Sequence, residues 1–327
     1  MTWEGENVML HTRLMRSASR MLFAGLLALA TLGGSLVSAP TVAAHATQMH
    51  TMKIVAHDNG SDASFKGSFS MPSKVPTGLV EVNFTNAGVQ DHMAQFFRLD
   101  SGVSEKTFLA KLTPLFTTQD PAKVVPALHA LLDIAAAAGG AESVMPGASQ
   151  TVFERLTAGH YVVVCFDTTS NGTPHFLLGM HKSFWVTAKA WAPVDRDERI
   201  VHGAPRSNGT ILEFDHSISV PHVISSDKPL LLKVKVSDQT HELQLLRVPN
   251  GTTAAALLQC FTGPPSACTL KSQPEDAGGA ASIAPGSTHW LQLHLKPGTY
   301  AAVCFVPDIN TGMPHAFMGM ITVFKVK

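Results

Sequence analysis

The feature that most constrains this chain is a passage of sequence written twice. One copy reads GGAESVMPG followed by LTAGHYVVVCFDTTSNGTPHFLLGM, the other GGAASIAPG followed by LKPGTYAAVCFVPDINTGMPHAFMGM. From Gly139 through Cys165 the second copy lies at a constant offset of 139, so Gly147 corresponds to Gly286, Tyr161 to Tyr300 and Cys165 to Cys304. The loop after the cysteine then gains one residue, and His175 pairs with His315 and Met180 with Met320. A period this long indicates two tandem domains rather than a solenoid of short units. The 327 residues have room for about two domains.

Formal net charge is zero, which leaves no broad basic surface for nucleic acid or anionic lipid. Charged residues make up 15% and apolar ones 45%, enough for two cores. The N-terminus reads as a signal peptide over residues 1–46: Arg13, Arg16 and Arg20 precede an apolar run from Met21 to Val37, and Ala44-His45-Ala46 offers a small-x-small cleavage site. Gly33-Gly34 interrupts the run, which suits a cleaved signal better than a membrane span. An uncleaved N-terminal anchor is the alternative, and no other stretch is apolar enough to span a bilayer. The expected location is outside the cytoplasm: secreted, periplasmic or at the cell surface.

The rest of the chain alternates short apolar runs with Gly, Pro and Asn, the pattern of an all-β sandwich. Strands are expected in copy one from Met52 to Ala56, Gly78 to Asn86, His92 to Leu99, Thr151 to Leu156, Gly159 to Phe166 and Met180 to Thr187. In copy two they run from Thr210 to Phe214, Leu230 to Val236, His241 to Val248, His289 to Leu295, Gly298 to Phe305 and Met320 to Val326. A helical insertion is expected after each histidine strand, roughly Ser104 to Ala138 in copy one and Thr252 to Gln259 in copy two. The implied division is domain one at 47–188, a polar linker at 189–209 and domain two at 210–327.

Four cysteines carry chemistry. Cys260 and Cys268 flank a Gly-Pro-Pro stretch found only in copy two, and a local disulfide is the natural reading for an exported chain. Cys165 and Cys304 occupy matched positions inside apolar strands. An exported thiol with neither a partner nor a metal invites oxidation, and metal ligation would explain its retention. A histidine at a strand start precedes each: His92 in copy one and His241 in copy two, each ten residues before a glycine, Gly102 or Gly251. Each copy therefore supplies His, Cys, His and Met in order: His92, Cys165, His175, Met180, and His241, Cys304, His315, Met320.

That order, with the Gly-x-Tyr-x-x-x-Cys strand and the His-x4-Met segment, resembles the cupredoxin (blue type 1 copper) family over nearly all of the mature chain. The resemblance implies two tandem Greek-key β-sandwiches, each with the helical insertion between its His strand and Cys strand. It also implies copper, at most one per domain, held by two imidazoles and a thiolate with methionine as a weak axial ligand. Copy two carries the closer match. By the same analogy His175 and His315 form the exposed edge through which electrons pass. The nine residues between Cys165 and His175, and ten between Cys304 and His315, exceed the loops of small electron carriers and come closer to those of copper nitrite reductases.

The function implied is electron transfer or copper handling, with a redox partner or copper donor that the sequence does not name. Two other readings stay open. One is a metal-free structural or binding module at the cell surface, in which each His, Cys and Met is structural or core filler. The other is a copper-dependent oxidoreductase. Against an enzyme stand the absence of His-x-His pairs in the sequence and the residues flanking the cysteines, Val164 and Phe166, Val303 and Phe305, where multicopper oxidases place histidine. His160, His181, His202, His216, His222, His289 and His294 fit no such pattern. Asn171, Asn208 and Asn250 of the Asn-Gly-Thr triplets read as turn formers.

Overall fold

The structure is a computed structural model that describes residues 49–60, 64–118, 120–188, 204–207, 209–221, 223–224, 230–234 and 239–327. The expected signal peptide, most of the expected linker, and His202, Asn208 and His222 lie outside the described residues.

Among the described residues eighteen strands dominate. Copy one contributes β1 (His50–His57), β2 (Ser68–Ser70), β3 (Lys74–Pro76), β4 (Gly78–Asn86), β5 (His92–Leu99), β6 (Ala135–Val144), β7 (Ser149–Leu156), β8 (Gly159–Val164) and β9 (His181–Thr187). Copy two contributes β10 (Thr210–Phe214), β11 (Ser217–Ser219), β12 (Val223–Ile224), β13 (Leu230–Val234), β14 (His241–Val248), β15 (Glu275–Ile283), β16 (Thr288–Gln292), β17 (Gly298–Val303) and β18 (Ile321–Val326). Helices α1 (Glu105–Thr117) and α2 (Pro121–Leu132) follow β5, and α3 (Ala254–Thr262) follows β14. Among the described residues no helix is long and apolar enough to cross a membrane.

The strands form two mixed sheets. One has the order β11-β10-β13-β16-β7-β4-β1-β2, the other β12-β18-β17-β14-β15-β6-β5-β8-β9-β3. Both run through the two copies without a break, joined where β7 meets β16 and β6 meets β15, each pair antiparallel. Across these joins equivalent residues face one another: Val152 opposes Leu291 and Ala141 opposes Ala280. The copies are thus related by a local two-fold axis, and the main core draws side chains from both.

Of the four strands at the joins, β7 and β16 match expected strands, whereas β6 and β15 are missing from the sequence expectation. The helical insertion of copy one ends at Leu132, and 135–138, expected to be helical, begin β6. The run AAAAGGAESV has small side chains because the backbones crowd there. A Cβ on Gly140 would collide with the Ala94 carbonyl oxygen, and one on Gly279 with that of Leu243. Both glycines also hold positive φ, +117° and +142°.

The cysteine strands read as unbroken apolar runs because both faces of their sheet are covered. Tyr161, Val163 and Cys165 point into the main core, while Val162 and Val164 meet Phe108 and Leu112 of α1 and Leu131 of α2. In copy two Tyr300, Ala302 and Cys304 face the core, and Ala301 and Val303 meet Leu257 of α3. Burying a residue such as Phe108 or Leu112 contributes roughly 2 kcal/mol. The helices start where capping chemistry allows: the side chains of Ser104, Asp120 and Thr253 accept backbone N–H groups of the first turns. Each tyrosine hydroxyl donates back to a carbonyl four residues upstream, Tyr161 to Thr157 (2.9 Å) and Tyr300 to Lys296 (2.8 Å), fixing the entry to the cysteine strand. Cys260 and Cys268 form a disulfide at the end of α3.

Candidate metal centres

Two groups of donor atoms converge, one per copy. In copy one, His92 Nδ1, Cys165 Sγ and His175 Nδ1 lie 3.6 Å (His92–Cys165), 3.5 Å (Cys165–His175) and 3.2 Å (His92–His175) apart. In copy two, the corresponding distances among His241 Nδ1, Cys304 Sγ and His315 Nδ1 are 3.9, 3.5 and 3.1 Å. All six residues are fully buried.

Local backbone geometry brings these residues together. The first histidine opens β5 or β14, and the cysteine follows the last residue of the neighbouring strand, β8 or β17. After each cysteine the chain loops out and returns. His175 N–H donates to Asp167 O, Phe176 N–H to Cys165 O and Cys165 N–H to Met180 O. Copy two repeats the pattern: His315 N–H to Val306 O, Ala316 N–H to Cys304 O and Cys304 N–H to Met320 O. A short 3-10 turn, His175–Leu178 or His315–Met318, carries the second histidine. Gly179 and Gly319 close it with φ of 98° and 118°. Met180 and Met320 are fully buried in the same core as the cysteines, pinned beside them by those backbone bonds.

The far nitrogen of every imidazole has a partner that the sequence reading missed. His92 Nε2 meets Asp58 Oδ2 at 2.9 Å, and His241 Nε2 meets Asp215 Oδ1 at 3.0 Å. His175 Nε2 meets Gln90 Oε1 at 2.9 Å, and His315 Nε2 meets Gln239 Oε1 at 3.1 Å. A signal existed for the amides, since a glutamine stands two residues before the strand histidine in both VQDH and DQTH. With an acceptor at Nε2, the proton sits there and the Nδ1 lone pair points at the centre.

Copies one and two differ around this shared frame. Copy two has Glu242 after its strand histidine where copy one has Met93, and Glu213 two residues before Asp215 where copy one has Ala56 before Asp58. Both glutamates raise the Cys304 thiol after burial itself, whereas beside Cys165 the second cause is Asp167.

The exposed edge expected at His175 and His315 is absent: both rings are fully buried. The capping glutamines cover Nε2, and Phe65 stacks on His175 with ring centroids 4.1 Å apart. His289 is also buried, paired across the copies with Glu154 at 2.9 Å, and His181 meets Glu105 of α1. His216 is half-exposed and faces Asp308 at 3.6 Å. Asn171 accepts hydrogen bonds from Thr169 and Thr173 in the loop after Cys165, as a turn former does.

The donor sets suit a soft transition metal on three counts. Triangles with these sides have centres about 2 Å from every corner, the length of metal–imidazole and metal–thiolate bonds. Burial holds His92 and His241 below the ordinary histidine range and takes His315 down to about 4, so these rings are neutral ligands at pH 7. Burial also pushes both thiols well up, so a thiolate at either position calls for a cation beside it.

No family model and no curated protein sequence matches the chain. Among solved structures, a multicopper oxidase aligns with 85% of this chain and 89% of its own at 16% identity and a TM-score of 0.23. Auracyanin from Roseiflexus castenholzii covers 38% of this chain and 99% of its own at 19% identity, TM-score 0.25. A copper-containing nitrite reductase from Thermus scotoductus covers 85% of this chain and 61% of its own at 12% identity, TM-score 0.21. The chain is a mostly β, two-sheet protein with two buried His/Cys/His groups whose chemistry is consistent with copper.

Proposed function

We propose that this is an exported copper protein, carrying one copper in each of two tandem cupredoxin-like domains and acting in electron transfer or copper handling. The observation behind the reading is the pair of buried three-donor groups, built twice from unlike surroundings by the same backbone pattern. Copper in such a set supplies one-electron chemistry at a thiolate. His92, Cys165 and His175, and His241, Cys304 and His315, are the ligands in this reading, with Met180 and Met320 as weak fourth partners. Asp58, Gln90, Asp215 and Gln239 orient the imidazoles, and Phe65 and the closing loops exclude water. A scaffold of this kind keeps its donors in place in both oxidation states. The disulfide Cys260–Cys268 supports export, since such bonds persist in oxidising compartments.

The test is the metal content and visible spectrum of purified mature protein after loading with Cu(II). Two coppers per chain and an intense visible band are expected. Cys165→Ser and Cys304→Ser should each remove one copper, and copper should raise the Tm of the parent by more than that of either variant. A colourless protein with substoichiometric copper would overturn the proposal and favour a metal-free module.

A further inference from the structure

A cleft of about 530 Å3 lies between the two copies. Its walls are apolar: Leu112, Phe116 and Leu132 from the helical insertion, and Phe305, Pro307 and Ile309 from the loop after Cys304. Phe116 and Leu132 are each more than a third exposed. Beside the neutral Gln239, Thr240, Gln244 and Ser282, its charged residues are of one sign. Glu142, Asp167 and Glu242 all line the cleft, and no lysine or arginine does so among the described residues.

Glu142 is the telling residue. It is only 4% exposed, and its Oε1 accepts the Ser143 N–H while Oε2 has no hydrogen-bond partner. A buried carboxyl oxygen without a partner is costly, and it costs least where a ligand supplies the missing donor. Burial, with Glu242 and Asp167 adding repulsion, pushes this carboxyl well above its usual range. The acidic oxygens here do not gather as metal ligands do; among the described residues only the two His/Cys/His groups converge that closely. The cleft therefore suits an N–H donor on an apolar body, and its volume falls within the range of small-molecule sites.

We propose that this cleft binds a small amphipathic amine, with its ammonium on Glu142 Oε2 and its apolar body against Phe116 and Phe305. Burial favours the neutral acid at Glu142, so the carboxyl releases its proton to solvent as the ammonium settles on it, and that exchange gives the selectivity for positive charge; the helical insertion of copy one forms the outer wall. Copy two has only α3 at the equivalent place, so one site per chain is expected.

Three probes sharing one ring system test this by calorimetry at pH 7 on the full mature protein: tryptamine, neutral 3-ethylindole and anionic indole-3-propionate. Tryptamine should bind at one site per chain at least tenfold more tightly than 3-ethylindole, with the anion weakest. Glu142→Gln should bring tryptamine to within about twofold of the neutral probe. Should that variant fail to fold, Leu132→Arg at the exposed mouth decides, since a fixed cation there should weaken tryptamine at least tenfold. Equal affinity for the three probes, no binding, or tryptamine binding unaffected by the substitution that can be measured would overturn the proposal.

Discussion

At the scale of single residues, the site is held by side chains that never touch its centre. Gln239 fixes His315 through Nε2 and also accepts the Ile309 N–H at 2.7 Å, so it ties the histidine to the loop that follows Cys304. Replacing such an orienting partner typically costs about 10- to 100-fold in metal affinity. Gln239→Leu should therefore weaken one copper of two by at least about tenfold, leaving the copy-one copper unchanged; competitive titration with a chelator reads both. The eight proposed ligands could be picked out from the order of residue types. The aspartate partners could not, because Asp58 and Asp215 reach their histidines from a different strand end, at a sequence distance of 34 and 26.

Glu213 has no counterpart in copy one and carries its own prediction. It is fully buried on β10, and neither carboxyl oxygen has a hydrogen-bond partner. Burial first, then the charge of Glu242, push its carboxyl up to about 8. A folded-state value above the unfolded 4.5 means the fold favours the neutral acid. Its contribution is full below pH 4.5 and is lost as pH rises to about 8. Glu213→Met removes both the orphaned oxygens and the titration. The variant should be more stable than the parent by about 2 kcal/mol at pH 8 and by clearly less at pH 5. Urea unfolding at the two pH values checks this, and an equal gain at both would mean that ionisation of Glu213 is not the source.

At the scale of elements, the long strands that alternate or run apolar were legible, and β6 and β15, two of the four at the junction, were not. Val, Phe and Tyr announce β5, β8 and their counterparts, since half-buried pleats select those shapes. β6 and β15 are made of Ala and Gly, which resemble helix or loop in any window, because the demand there is for small size. That demand comes from the backbone of the paired neighbouring strand, β5 or β14, and leaves no periodic trace. It does make a sharp prediction. Gly279→Ala forces a Cβ onto the Leu243 carbonyl at a φ that disfavours every other residue, so the variant should lose at least about 3 kcal/mol. Gly286→Ala, at a tight turn with φ of 73° but open space around it, should cost about 1 kcal/mol. Denaturant midpoints of the two variants rank the two causes, collision and dihedral.

At the scale of the whole molecule, the repeat announced two related units, and the way they join was hidden. Two tandem sandwiches could have been beads on a linker, yet here they share both sheets. The join is polar at its heart: Gln95 Oε1 accepts from Ser282 N–H and hydroxyl, Gln150 accepts from Gly279 N–H, and Glu154 meets His289. Each is a buried group whose partner lies in the other copy, so separating the copies would strand them all. One cooperative unfolding transition is expected, with calorimetric and van't Hoff enthalpies in agreement.

The two-fold axis adds a stricter test. Equivalent residues face one another at both joins, so a fragment of residues 47–188 can replace its missing partner with a second copy of itself. Its exposed edges β6 and β7 would otherwise invite uncontrolled pairing. In that homodimer Val152 would oppose Val152 and Ala141 would oppose Ala141. The position of His289 would be filled by its equivalent at the 139-residue offset, Gln150. Glu154 would then face an amide in place of an imidazole that can carry charge, and a buried carboxylate loses stability in that exchange. The fragment should therefore sediment as a dimer weaker than its geometry allows. Gln150→His, which restores the carboxylate–imidazole pair twice over, should tighten it roughly tenfold or more. A fragment that stays monomeric and folded would show that each sandwich closes its own edge, and that the shared sheets are not needed to hold either copy together.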